Sequence, residues 1–214
     1  MLQFEIIPVT AFAQNCTLLW DDETKDAVLI DAGGEFDRLK QAITTRGLNL
    51  KALWLTHGHL DHAGAVGALA SHYRVPVIGP HKDDEFWLQM LEQQAQMFGF
   101  AVPQAVTVNQ WLEGDETLQL GKYSFEVRFA PGHTPGHVVI YSKDLNLVWT
   151  GDVLFAGSIG RTDFPKGNHQ QLIASIHREL FSLPNDTRFI SGHGPMSTIG
   201  QEKRTNPFVA GRAG

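Results

Sequence analysis

The sequence predicts an α/β fold built as a four-layer sandwich: two mixed β-sheets packed face to face, with helices on the outer faces. Three observations support this. β-prone runs fall into two groups, helical segments close each group, and no low-complexity linker divides the 214 residues. The pattern changes to successive strands after Gly99, so the β-rich halves are placed at about 1–99 and 100–214 within a single domain.

In order, residues 2–9 and 16–20 are short β-prone stretches, and Asp26-Ala27-Val28-Leu29-Ile30-Asp31 is a strand running into the tight turn Ala32-Gly33-Gly34. Residues 35–46 have helical spacing, with Phe36, Leu39 and Ile43 on one face and Gly47 as the stop. The apolar run Ala52-Leu53-Trp54-Leu55 reads as a buried strand, Ala63 to Tyr73 as a buried helix and Val75–Gly79 as a short strand. Residues 82–98 form an amphipathic segment whose Phe86, Met90, Met97 and Phe98 are expected to pack on the core; the competing reading has its aromatics lining a substrate entrance. The second half supplies strands at Leu118–Leu120, Tyr123–Phe129, Val138–Tyr141, Leu145–Thr150 and Arg188–Ser191. Residues 169–181 form its helix, with Leu172, Ile173, Ile176 and Leu180 inward.

A hydrophobic share of 43% suffices for a core, while a net charge of −6 without a Lys/Arg run argues against a nucleic-acid partner. The lone cysteine, Cys16, excludes an internal disulfide and reads as a half-buried strand thiol rather than a nucleophile. No basic leader or run of membrane-spanning length is present, so a soluble, cytoplasmic protein, a monomer or weak homo-oligomer, is expected.

The chemistry gathers in Thr56-His57-Gly58-His59-Leu60-Asp61-His62, where a strand ends and a helix begins. Imidazole nitrogen and carboxylate oxygen are ligands for zinc, iron and manganese, and Gly58 leaves room for two converging side chains. Three more polar residues also follow strands beside glycine: His133 in Gly132-His133-Thr134-Pro135-Gly136-His137, Asp152 in Gly151-Asp152, and His193 in Gly192-His193-Gly194. Together His57, His59, Asp61, His62, His133, Asp152 and His193 exceed one tetrahedral ion and suit two, with Asp152 as the shared carboxylate. Asp31 is either a turn residue or a partner holding a ligand histidine by its free N–H. His137 reads as a supporting residue, and His72, His81, His169 and His177 as surface or packing residues.

The motif His57-x-His59-x-Asp61-His62 followed by His133, Asp152 and His193 resembles the metallo-β-lactamase superfamily over nearly the whole chain. That resemblance implies an αβ/βα sandwich with a binuclear site: His57, His59 and His133 on one metal, Asp61, His62 and His193 on the other, Asp152 bridging. Within the superfamily, Gly132–His137, Gly157–Phe164 and Asn206-Pro207-Phe208 resemble the glyoxalase II group, most closely its short bacterial YcbL type. Only a short tail follows His193, so the extra C-terminal helical domain of longer glyoxalase II enzymes is expected to be absent.

The resemblance implies a hydroxyacylglutathione hydrolase, converting S-lactoylglutathione to glutathione and lactate in methylglyoxal detoxification. Two divalent ions, zinc foremost with iron or manganese as alternatives, would lower the pKa of a shared water towards 7, with Asp61 and Asp152 as the carboxylates at the reacting centre. Arg161 and Lys166 are the candidate substrate-binding cations; Lys203 and Arg204 read rather as solvated charges. The alternative is a persulfide dioxygenase, which the Gly160–Phe164 loop also resembles, with one iron on His57, His133 and Asp152.

Overall fold

The computed structural model describes residues 1–210; the last four positions of the predicted second half lie outside the described residues. The first half forms a five-stranded sheet: β1 (Leu2–Val9), β2 (Gln14–Asp21), β3 (Asp26–Ile30), β4 (Asn49–Trp54) and β5 (Val77–Ile78), in that order. β1–β3 pair antiparallel, whereas β3, β4 and β5 run parallel. Helices α1 (Phe36–Thr45), α2 (Leu60–Ala63), α3 (Val66–Tyr73), α4 (Glu85–Gln89) and α5 (Leu91–Phe98) belong to this half.

The second half begins with β6 (Thr117–Leu120), β7 (Tyr123–Phe129), β8 (Val138–Ser142) and β9 (Leu147–Gly151). A small hairpin, β10 (Leu154–Phe155) with β11 (Ser158–Ile159), then leads to α6 (His169–Ser175), β12 (Arg188–Ser191), β13 (Ser197–Thr198) and α7 (Ile199–Thr205). The six-stranded order is β13-β12-β9-β8-β7-β6, with β12 parallel to β9 and the other pairs antiparallel.

Alternation along the strands explains the four layers. Val28, Ile30 and Trp54 from the first sheet meet Phe125, Val127, Ile140, Trp149 and Ile190 from the second in the shared core. Trp54 and Phe125 rings lie 5.1 Å apart near perpendicular, an arrangement favoured by ring quadrupoles. The intervening residues point outward. Leu29 and Leu53 pack beneath Leu39, Ile43, Val66 and Leu69, while Val139, Val148 and Phe189 pack beneath Leu172, Ile176 and Ile199. Strands buried on both faces must be apolar at nearly every position, as β3, β8 and β9 are. Each such large side chain contributes about 1.5–3 kcal/mol by leaving water.

One expectation is corrected. The 82–98 segment is broken at Met90 into α4 and α5, and its inward residues are Trp87, Leu88, Leu91 and Ala95. Met90, Met97 and Phe98, assigned to the core from their apolarity, are 37%, 77% and 46% exposed. They line a cavity instead. Apolar spacing marks residues that avoid bulk water but does not distinguish a core from an open cavity.

Candidate metal centre

β3, β4, β9 and β12 all end at one edge of the sandwich, and the loops after them carry the predicted ligands. Parallel pairing of β3 with β4 and of β9 with β12 brings these C-terminal ends together. Asp31 directly follows β3, the Thr56–His62 segment follows β4, Asp152 follows β9 and His193 follows β12. His133 lies in the loop between antiparallel β7 and β8. Glycines allow the close approach: a Cβ on Gly58 would lie 2.8 Å from the Trp87 Cβ, and one on Gly192 only 2.0 Å from Asp152 Oδ1.

All seven predicted residues meet, in two groups around Asp152. Nδ1 of His59 lies 3.2 Å from Nε2 of His57 and 3.0 Å from Nε2 of His133. Nε2 of His193 lies 3.0 Å from Asp61 Oδ2, with Nε2 of His62 3.8 Å from the same oxygen. In each trio the potential ligand atoms lie within 4.8 Å of one another. Asp152 stands between the groups: Oδ1 is 3.2 Å from His62 Nε2, while Oδ2 is 3.6 Å from His133 Nε2 and 3.7 Å from His193 Nε2.

Surrounding hydrogen bonds fix which nitrogen faces the centre. His57 Nδ1 lies 3.1 Å from Thr56 Oγ1, whose hydroxyl donates to Asp31; His62 Nδ1 donates to Asp31 Oδ2 at 2.9 Å. His133 Nδ1 donates to the Arg161 carbonyl at 2.7 Å, and His193 Nδ1 to the Phe12 carbonyl at 3.1 Å. Each of these four rings therefore offers Nε2 inward. His59 alone turns Nδ1 inward. Asp31, at φ 55°, serves as both a turn residue and a histidine partner.

His137 supports the centre from behind. Its ring stacks on His57 at 4.6 Å and its Nε2 accepts the Asp152 N–H at 3.0 Å. His72 and His177 pack against Phe36 and Phe181, and His81 accepts the Asp83 N–H through Nδ1. Cys16 is fully buried in β2.

The residues fit a pair of cations. Buried His62 Nε2 and Asp152 Oδ1 face each other at 3.2 Å without hydrogen-bond geometry and have no other partner, so the chain leaves costly polar atoms unmatched at the centre. Burial and the neighbouring imidazoles keep His57 well below the ordinary histidine range; burial brings His59 to about 3 and also lowers His133. These rings are neutral at physiological pH and free to offer a lone pair to a cation. Burial opposes charge on His62 and His193, but their carboxylate neighbours hold both above the ordinary value. Burial would likewise raise Asp61 and Asp152, and the histidines around them prevail and lower both.

Asp84 was not singled out in the sequence, lying in the charged run Lys82-Asp83-Asp84-Glu85. It is fully buried and accepts from Gly58 N at 2.9 Å, Gly136 N at 2.6 Å and Thr134 Oγ1 at 2.7 Å, tying together the loops that carry His57, His59 and His133. Gln94 likewise accepts the Leu60 N–H at 2.9 Å, anchoring the start of α2. Neither has a distinctive local signal.

The centre forms the floor of a cavity of about 570 Å³. Trp87 and Phe164 rings flank His59 at 4.5 and 5.2 Å. Arg161 lines the cavity, but Asp163 takes its guanidinium through two 2.6 Å hydrogen bonds. Lys166 is not among the lining residues; its ammonium lies 3.9 Å from the centre of the Phe86 ring. Lys203 bonds to Asn185 and Arg204 to Gln201 on the surface.

A two-sheet scaffold with paired imidazole–carboxylate clusters at one edge defines a metallohydrolase. Residues 9–193 match the family model described as metallo-beta-lactamase superfamily, and the chain belongs to that superfamily. A Haemophilus influenzae protein named hydroxyacylglutathione hydrolase GloC is 50% identical over 97% of this chain and 98% of its own length. The crystal structure of BLEG-1 B3 metallo-beta-lactamase has a TM-score of 0.90 at 38% identity, covering 98% of this chain and 100% of that one. That of TTHA1623 in a di-iron-bound form has a TM-score of 0.87 at 38% identity, covering 96% of this chain and 100% of the other.

Proposed function

We propose that this protein is a hydroxyacylglutathione hydrolase, a cytoplasmic thioesterase that cleaves S-lactoylglutathione to glutathione and lactate with two divalent ions, zinc first among them. The observation that carries this reading is the placement of Asp152 between two ligand trios on the floor of an open cavity. The 50% identity to a protein named for this activity supports the thioester assignment, and the di-iron-bound neighbour supports a pair of ions. Bound divalent ions supply Lewis acidity and an acidified water. The chain holds the ligands. Asp31, Thr56 and the Arg161 and Phe12 carbonyls hold four histidine Nδ1 positions so that Nε2 stays inward. Trp87 and Phe164 shield one side of His59 from water. A thiolate leaves readily, so the reaction does not require a dedicated acid beside the leaving group.

Purified protein reconstituted with zinc and verified to hold two ions should release glutathione from S-lactoylglutathione, and Asp152→Ala should lose both ions and the activity. An intact thioester under these conditions overturns the proposal. Oxygen uptake with glutathione persulfide by a one-iron form would assign the persulfide dioxygenase reaction instead, and preferential β-lactam turnover would assign the lactamase reaction.

A further inference from the structure

The cavity above the metal centre is walled by apolar groups from three separate segments. Trp87 and Phe164 form its inner wall beside His59, while Phe12, Met90, Met97 and Phe98 form its outer rim. Phe12 comes from the β1–β2 turn and meets Phe98 of α5 edge-on at 5.5 Å. Phe12 is 41% exposed and Met97 77%, so large apolar side chains face water beside the reacting centre. Exposure of this kind is costly in a monomer and commonly marks a binding surface. Methionine adapts to ligands of varied shape.

Charge is the second observation. Arg161 is the only arginine or lysine among the described residues lining this cavity, and Asp163 engages it bidentately. A ligand carboxylate recruiting Arg161 would also face the Asp163 carboxylate. The tripeptide arm of glutathione, with its carboxylates and ammonium, finds little charge complementarity on these apolar walls, whereas a hydrocarbon arm finds apolar surface to cover.

Resting on the thioester reading above, we propose that the site selects thioesters whose acyl arm is large and apolar, an alkyl chain of six or more carbons or an aryl group. That arm lies between the Trp87–Phe164 wall and the Met90, Met97 and Phe98 rim, and the polar thiol arm is directed to solvent.

Calorimetric binding of S-methyl-, S-butyl- and S-hexylglutathione, thioethers that cannot be cleaved, tests the proposal without requiring turnover. Full burial of a methylene is worth about fourfold in affinity, so roughly two- to threefold per methylene is expected in this open groove. The double variant Met97→Ser/Phe98→Ser alters two exposed side chains and should flatten that dependence. Equal affinity along the series, or a slope unchanged in the variant, overturns the proposal. Flat binding with rapid cleavage of S-lactoylglutathione would leave the thioester reading standing. A steep series without cleavage of either S-lactoyl- or S-hexanoylglutathione by metal-replete protein would overturn the thioester reading, and with it the selection of thioesters, while leaving only an apolar subsite.

Discussion

Asp31 Oδ2 accepts a hydrogen bond from Nδ1 of His62 at 2.9 Å, and the same carboxylate receives the Thr56 N–H at 2.8 Å and its hydroxyl at 2.7 Å. The contact keeps the His62 proton on Nδ1 and presents Nε2 to the group containing Asp61 and His193. Asp31→Asn retains a residue that tolerates its positive φ but removes the charge. Loss of such an outer partner typically costs 10- to 100-fold in metal affinity. Zinc titration of the variant should show the larger loss at the position of Asp61, His62 and His193, where the contact is direct, and a smaller one at the position of His57, which Asp31 reaches only through Thr56; equal weakening at both would refute the assignment.

Acid should empty the two positions in sequence. His57, His59 and His133 have lowered pKa values, so that trio accepts a cation without displacing protons near neutrality. His62 and His193 have raised values, so each keeps its proton to higher pH and competes with metal there. Lower pH therefore weakens the second position, by up to about tenfold per unit for each proton displaced. Dialysis at pH steps from 8 to 5 should take the metal content from two ions towards one. Simultaneous loss of both ions would contradict this ordering.

Much of this was legible in the sequence because metal ligands are unusual residue types at recognisable places. His57, His59, His62, His133, Asp152 and His193 each follow or lie near a strand and a glycine, and alternating apolar residues locate the strands. Asp84 was illegible. Among Lys82, Asp83 and Glu85 it looks like a solvated charge, and only folding surrounds it with Gly58, Thr134 and Gly136. Glu202 is similar: buried in α7, it accepts from Gly157 N at 2.8 Å and Asn206 Nδ2 at 2.9 Å, tying the tail to the segment between β10 and β11. The apolar rim was obscured for a different reason, since Met97 and Phe98 share the helical spacing that marks core residues.

Asp84→Ala would strand three donors, each costing about 1–3 kcal/mol when buried and unpaired. The low end of that sum, about 3 kcal/mol, corresponds to a fall in Tm of roughly 6–12 °C for a chain of this size. Burial raises the Asp84 pKa to about 6 despite those donors. The folded state therefore binds this proton more tightly than the unfolded state, so the group's contribution to stability is greatest below about pH 4 and declines as pH rises towards 6. In Asp84→Asn this slope is removed. Denaturant unfolding of metal-free protein at pH 4, 5, 6 and 7 should show the wild type losing stability relative to Asp84→Asn up to pH 6, then a constant difference. A difference that grows in favour of the wild type over that interval would reverse the assignment.

Gly192 provides a steric test of the shared carboxylate. A Cβ at this position would lie 2.0 Å from Asp152 Oδ1 and 2.6 Å from Cε1 of His62, both inside contact distance. The backbone has little freedom to yield, because Gly192 N donates to the Gly151 carbonyl at 2.8 Å and its own carbonyl accepts the Asn15 N–H at 2.7 Å. Gly192→Ala therefore moves Asp152 or His62 rather than the chain. If Asp152 joins the two positions, that displacement weakens both: zinc content should fall below one ion per chain under conditions that load the wild type with two, with the far-ultraviolet circular dichroism unchanged. Loss confined to the Asp61–His62–His193 position would mean that His62 alone had moved, and an unaltered content of two would show that the crowding at Asp152 is relieved without cost to either position.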